Sequence, residues 1–275
     1  MAKKSENVRT IRPIIANGKT KLTDIDPRST CSFEGDKAAT VAAFAQLNAQ
    51  LVELQQLLYA EHKHKVLVVL QAMDTGGKDG VIRKVFFGVN PIGIHVASFK
   101  APTAAELDHD YLWRAHARVP AKGEMVVFNR SHYEDVLITR VEGWIDDRTA
   151  KRRFRQINDF ETMLAEEGTT ILKFFLHISK GEQKERLQER LHDDAKKWKF
   201  NPGDLVAREK WGDYQRAYED AINATSSPHA PWYVVPADRN WVRDLYVCSV
   251  LVEVLSNLKM QYPDAPPGLD NVVIK

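Results

Sequence analysis

The feature that most constrains this chain is a continuous apolar run, Val66-Leu67-Val68-Val69-Leu70, which stops at Gln71-Ala72-Met73-Asp74-Thr75-Gly76-Gly77-Lys78-Asp79-Gly80. A β-branched, aliphatic run without polar alternation is expected to be a strand buried on both faces, as in a helix-covered parallel sheet. Val81-Ile82-Arg83-Lys84-Val85-Phe86-Phe87 follows with an apolar stripe and reads as a helix. Strand, glycine turn, lysine and helix in that order form the context of a phosphate-binding loop. Glycines let backbone N–H groups come close to phosphate oxygens, and the helix start adds a positive dipole end. Thr75, Gly76, Gly77, Lys78, Asp79 and Gly80 are the expected phosphate-binding residues, with Lys78 supplying the full charge. Two positions depart from the usual G-x-x-x-x-G-K-[ST] pattern. Ala72 stands at the first glycine, and Asp79 stands where Ser or Thr would reach Mg²⁺. The metal must then be held otherwise, and Asp74 inside the loop is the candidate. A plain glycine turn with a solvated lysine fits this stretch taken alone.

At 275 residues the chain can bury a sizeable core. Its 39 Lys and Arg nearly balance 37 Asp and Glu, so net charge selects no class of partner and local clustering must do so. Cys31 and Cys248 lie far apart without metal spacing, which points to a reducing compartment rather than a disulfide framework. No apolar run approaches the length of a membrane span, and no signal core follows Met1. The expected location is cytoplasmic.

Residues 1–35 are polar and turn-rich, and are expected to form an arm lying on the domain or on a partner subunit. One domain is expected over 36–262, with a tail over 263–275. Val41, Phe44, Leu47, Leu51, Leu54 and Leu58 recur at helical spacing, so 37–62 reads as an amphipathic helix. A second strand is expected at Gly93–Phe99, then one helix from Ala104 to about His116 capped by Thr103 and Glu106. Asp108, His109, Asp110 and His116 on that helix are read as a solvated face rather than a metal site. Strands at Glu124–Asn129, Thr169–His177 and Trp232–Val235 alternate with helices at Asp146–Glu167, Tyr214–Ala224 and Trp241–Met260. This alternation predicts an α/β three-layer sandwich around a parallel sheet of about five strands. Ligands in such sheets bind at the carboxyl ends of the strands. The phosphate loop and Asn129-Arg130-Ser131-His132-Tyr133-Glu134-Asp135 then share one rim.

Phosphoryl transfer needs phosphates held in line and their charge neutralised. Asp74 and Asp135, from neighbouring strand ends, are the candidate Mg²⁺ ligands, with Mn²⁺ as an alternative ion. Arg130 can grip an oxyanion, and Glu134 can tune the metal site or position an acceptor. Read alone, Asp135 and Glu134 also fit helix-start acids with Arg130 as a surface partner. Residues 180–211 are densely basic, an insertion expected to form a helical lid with Arg186 and Arg190 as its cations. A solvated charged helix pair explains Lys184, Glu185 and Glu189 equally well.

At this point the residues resemble a family. The loop 71–80, the segment Phe128-Asn129-Arg130-Ser131-His132-Tyr133-Glu134-Asp135-Val136-Leu137, and His177-Ile178-Ser179-Lys180 with Gln183, Arg186 and Arg190 look like the family-2 polyphosphate kinases. Trp198-Lys199-Phe200-Asn201 and His229–Asp238 are similar to later motifs of that family. The resemblance implies a P-loop kinase fold with a helical lid. It implies Mg²⁺-dependent, reversible phosphoryl transfer between inorganic polyphosphate and a nucleotide. By motif, Asp74 and Asp135 would be metal-site acids, Lys78 and Arg130 would hold transferring phosphates, and Arg186 and Arg190 would be lid cations. The Asn-Arg-Ser-His-Tyr-Glu-Asp form resembles the class that phosphorylates both nucleoside mono- and diphosphates. Asn129 and Glu134 are therefore tied to acceptor choice. The expected substrates are polyphosphate with AMP, ADP and ATP, with guanine nucleotides as further acceptors. Arg83, Lys84 and Lys100 are placed to line a polyphosphate channel, or else serve surface solubility. The arm and the exposed helices suggest a homo-oligomer, dimer or tetramer, and neither nucleic acid nor membrane is an expected partner. Two rival readings remain. One is an ATP-dependent nucleotide or small-metabolite kinase on the same fold; the other is a non-catalytic nucleotide- or nucleic-acid-binding protein with a decayed loop.

Overall fold

The computed structural model describes residues 11–268 and the single positions 272 and 274. Helix α1 (Lys37–Glu61) leads into strand β1 (Lys65–Gln71), then α2 (Lys78–Val85) and β2 (Ile94–Ser98). Short helices α3 (Ala104–Leu107) and α4 (Trp113–His116) precede β3 (Met125–Asn129), a 3₁₀ turn (His132–Val136), α5 (Ile138–Val141) and α6 (Asp147–Glu166). Strand β4 (Thr169–His177) is followed by α7 (Lys180–His192), α8 (Gly203–Glu209) and α9 (Trp211–Thr225), then β5 (Trp232–Pro236) and α10 (Asn240–Asn257).

The five strands form one parallel sheet in the order β2-β3-β1-β4-β5. The central strands β1 and β4 are buried along nearly their whole length, as largely apolar runs require. Helix α10 packs against both α1 and α2, while α6 packs against β4 and α9. The chain leaves β1 toward β2 and leaves β3 toward β4, in opposite directions along the sheet. The loops after these two adjacent strands therefore diverge, and a crevice opens between them at their carboxyl ends.

Several local expectations change. The single helix over 104–116 is broken: the first helix ends at Leu107, and the Asp110 carboxylate accepts from the N–H groups of Leu112 (2.9 Å) and Trp113 (3.1 Å), where the second begins. The buried side of α1 begins at Thr40 and continues through Leu47, Leu51, Gln55 and Leu58, whereas Val41 is half exposed. The arm, from residue 11 onward, lies on its own domain. Ile15 forms an antiparallel bridge to Tyr233, and Val234 N–H donates to Ile14 O at 2.8 Å. This covers the β5 edge of the sheet, a stretch of backbone that would otherwise present unpaired groups. Residues 1–10 of the arm, and 269–271, 273 and 275 of the tail, lie outside the described residues.

Candidate active site

The loop between β1 and α2 holds its shape through backbone that few side chains tolerate. Gly77 has φ +98°, and a Cβ there would sit 2.1 Å from the Arg243 guanidinium. A Cβ on Gly76 would meet that of Ala72 at 2.4 Å. Thr75 itself adopts φ +62°, and its buried hydroxyl has no hydrogen-bond partner among the described residues. A β-branched residue in the left-handed region is a strained one, and such strain clusters at ligand sites. Lys78, at the first position of α2, is nearly buried and donates to Ala72 O at 3.0 Å. Burial lowers its pKa, with the nearby Arg130 acting in the same direction and Asp74, Glu134 and Asp79 opposing.

The second half of the site comes from the end of β3. Arg130 also has a left-handed backbone, φ +61°, and its Nη2 donates to Asp74 Oδ1 at 2.8 Å. Burial would lower the Arg130 pKa, but the carboxylates of Glu134 and Asp74 outweigh it and the value is raised. Glu134 faces the same charges: burial raises its pKa, and Arg130 and Lys78 draw it back. Asn129 Nδ2 donates to Asp79 Oδ1 at 2.9 Å, tying the β3 end to the loop helix.

Asp135 is where the expectation fails. Its carboxylate lies 3.6 Å from Arg153 of α6, and its carbonyl accepts from the same guanidinium at 2.7 Å. The charges acting on it are Arg153, Arg114 and His132, and neither Asp74 nor Lys78 is among them. The reason is local geometry. His132–Val136 is a 3₁₀ turn, in which successive side chains point about 120° apart. One step along the chain therefore exchanges the loop-facing side for the α6-facing side. The acid that joins Asp74 is Glu134, and the expected Asp74–Asp135 pair does not form.

The segment 180–211 folds back over the loop. Arg186 of α7 donates to Thr75 O (3.0 Å), to Ala237 O (2.6 Å) and to Glu182 Oε1 (2.8 Å). Gln183 donates to Asp74 O at 3.1 Å. Arg190 pairs with Asp204 of α8 at 3.0 Å, and the Asp204 pKa is raised by burial and then by Asp74. Lys184 is exposed and belongs to the solvated side. Together these elements enclose a cavity of about 700 Å³ whose wall includes the whole loop 74–80, Asn129, Arg130, Arg186 and Arg190. Arg83, Lys84 and Lys100 line it as well, and its cations outnumber its acids. Asp74 and Arg130 also border a narrow cleft on the other side, walled by Glu134, Ile138, Ala207, Tyr214 and Tyr218.

Arg243 escaped the sequence reading. It is 3% exposed, lines the cavity beneath Gly77 and Gly80, and is held by Asn240 (2.7 Å) and Asp244 (2.7 Å). A signal was present: an arginine between apolar Val242 and Leu245, in the first turn of a helix that follows a strand, belongs at the ligand-binding rim. Tyr214 and Tyr218 carried no such signal.

Among the described residues no three His, Cys, Asp or Glu side chains form a metal cage. Asp74 and Glu134 beside a phosphate loop suit Mg²⁺, which is commonly held by one or two carboxylates together with substrate phosphates and water.

Known proteins resemble this chain over nearly its whole length. Residues 34–264 match the family model "Polyphosphate kinase 2 (PPK2)". The chain is 58% identical over 259 residues to the AMP/ADP-polyphosphate phosphotransferase of Meiothermus ruber, covering 94% of this chain and 97% of that protein. It is 47% identical over 231 residues to an ADP-polyphosphate phosphotransferase of Rhodopseudomonas palustris, covering 80% of each. The crystal structure of polyphosphate kinase 2 from Arthrobacter aurescens superposes with a TM-score of 0.89 at 45% identity, covering 91% of this chain and 90% of that one.

Proposed function

The chain belongs to the polyphosphate kinase 2 family, and from that premise we propose that it is a Mg²⁺-dependent phosphotransferase moving phosphoryl groups between inorganic polyphosphate and both AMP and ADP. The observation that carries the reading is the meeting of Lys78 and Asp74, from the β1 end, with Arg130, from the β3 end, at one cation-rich cavity, with Glu134 on the adjoining cleft that Asp74 and Arg130 also border.

Each group has a role that follows from its position. The loop amides and Lys78 hold the transferring phosphate, and Arg130 balances the charge that spreads over its oxygens in the transition state. Asp74 fixes the Arg130 guanidinium and, with Glu134, would hold the metal. When bound, Mg²⁺ would neutralise phosphate charge and align donor with acceptor. A linear polyanion needs a positive groove leading to the loop, and Arg83, Lys84, Lys100 and Arg243 supply one. The acceptor side is assigned to the Glu134–Tyr214–Tyr218 cleft, whose rings can stack on a base. That cleft is narrow, about 30 Å³, so α8 with Ala207 must shift to admit a nucleoside. Residues 180–211 act as a lid over the phosphates, with Arg186 and Arg190 as its cations. Guanine nucleotides are secondary acceptors in this reading.

The test is a donor-by-acceptor assay with purified protein and Mg²⁺. AMP with polyphosphate and no ATP should yield ADP and then ATP. Transfer from ATP but not from polyphosphate would instead make the protein an ATP-dependent kinase. Binding without turnover would leave only a nucleotide-binding role.

A further inference from the structure

Lys173 is an anomaly in its strand. It sits mid-way along β4 among Ile171, Leu172, Phe174 and Phe175, and it is fully buried. Its Nζ donates to Glu161 Oε2 of α6 at 2.5 Å, to Thr225 O at the end of α9 at 2.7 Å, and to the Tyr133 hydroxyl at 2.9 Å. The Tyr133 hydroxyl in turn has two acceptors for its proton, Glu161 Oε1 at 2.8 Å and Thr225 Oγ1 at 3.0 Å. Glu161 is also fully buried, with the enclosed His132 ring nitrogen 3.5 Å away. A buried ion pair is weak evidence for stability, since well-packed apolar residues of similar volume often do as well or better. Its other attested use is to fix one arrangement out of several.

The arrangement at stake is visible. Tyr133 lies in the 3₁₀ turn that carries Glu134, and that turn follows directly on Arg130 with its left-handed backbone. A strained residue keeps its conformation only when its surroundings over-determine it. On the β3 side Arg130 N–H is fixed to Leu70 O at 3.1 Å. On the other side Ser131 accepts from Gln71 at 3.1 Å, and Tyr133 reaches into the buried pair. Fixing the direction of Tyr133 in a turn with three residues per repeat also fixes its two successors. Glu134 then faces the cleft bordered by Asp74 and Arg130, and Asp135 faces Arg153.

We propose that the buried Lys173–Glu161 pair acts through the Tyr133 hydroxyl as a positioning device, setting Glu134 and Arg130 for phosphoryl transfer from beneath the sheet rim. The inference rests on the function proposed above for Arg130 and Glu134. Lys173, Glu161 and Tyr133 are not catalytic residues, because none of them lines the cavity or the cleft.

The test is Tyr133→Phe, which removes one hydroxyl and leaves Lys173 bonded to Glu161 and Thr225. The turn's backbone amides should exchange with deuterium at least tenfold faster, while those of β4 and α6 stay as protected as in wild type. With polyphosphate and ADP, kcat should fall about tenfold or more with KM for polyphosphate within twofold, as misplacement of reacting groups predicts. Lys173→Met with Glu161→Leu, which replaces the pair by apolar volume and leaves Thr225 Oγ1 as the only acceptor for the Tyr133 hydroxyl among those described, should keep the thermal midpoint and lower kcat in the same direction by less than Tyr133→Phe does. Wild-type kcat in Tyr133→Phe, or unchanged exchange across 131–136, overturns the proposal. If wild type itself transfers nothing from polyphosphate, the proposed function fails, and the exchange measurement still decides whether the pair anchors the turn.

Discussion

Substituting Gly77 tests the tightest contact in the site. Alanine there must adopt φ +98°, which costs an L-residue roughly 1–2 kcal/mol. Its Cβ would also lie 2.1 Å from Arg243 Nη1, so the guanidinium must move. That guanidinium is held by Asn240 at 2.7 Å and by Asp244 at 2.9 and 2.7 Å, at 3% exposure, so moving it away from residue 77 breaks at least one of these bonds. Losing one charge-assisted hydrogen bond adds roughly 1.5–3 kcal/mol. Gly77→Ala should therefore destabilise by about 3–5 kcal/mol in the wild-type background. In the Arg243→Ala background only the backbone cost remains, about 1–2 kcal/mol. Urea unfolding of wild type, the two single variants and the double variant gives the coupling directly, expected at about 1.5–3 kcal/mol. If Gly77→Ala costs the same in both backgrounds to within about 0.5 kcal/mol, the guanidinium does not brace the loop and the contact argument is wrong.

The two neighbouring acids should separate cleanly: Glu134→Gln should lower kcat by about 10²-fold or more, whereas Asp135→Asn should stay within a few-fold of wild type. A reversed order, read from initial rates with polyphosphate and ADP, would return the metal-side role to Asp135. The salt dependence of KM for polyphosphate should be steep, and replacing Lys84 by Gln should reduce the slope of log KM against log salt by about one. An unchanged slope would put Lys84 outside the donor path. His177 gives a pH signature on stability. Burial depresses its pKa below the ordinary 6.5, while its Nε2 lies 3.2 Å from Ile25 O of the arm. The unfolded chain therefore takes up a proton first, so stability should fall as pH drops through 6.5 and level off below the depressed folded value. His177→Gln should flatten that part of the thermal-midpoint profile, and a profile unchanged by the substitution would show that the ring does not titrate in the unfolding reaction.

The chain's local patterns determined a great deal. An unbroken Val66–Leu70 run, a glycine turn and Lys78 are short-range signals, and they fix a buried strand, a phosphate-type loop and a helix start without reference to the rest of the molecule. The alternation of strands and helices carried the α/β class and the common rim in the same way. What the sequence could not decide was direction. Glu134 and Asp135 are adjacent acids with the same chemistry, and only the 3₁₀ turn pinned through Tyr133 selects which one faces the cleft bordered by Asp74 and Arg130. Whether the arm lay on its own domain or on a partner was likewise settled by the free edge of β5, a property of the assembled sheet. Arg243 lies more than 160 residues from the loop it braces. Its role depends on α10 packing against α2, and contacts across that separation leave no periodicity in the chain to read.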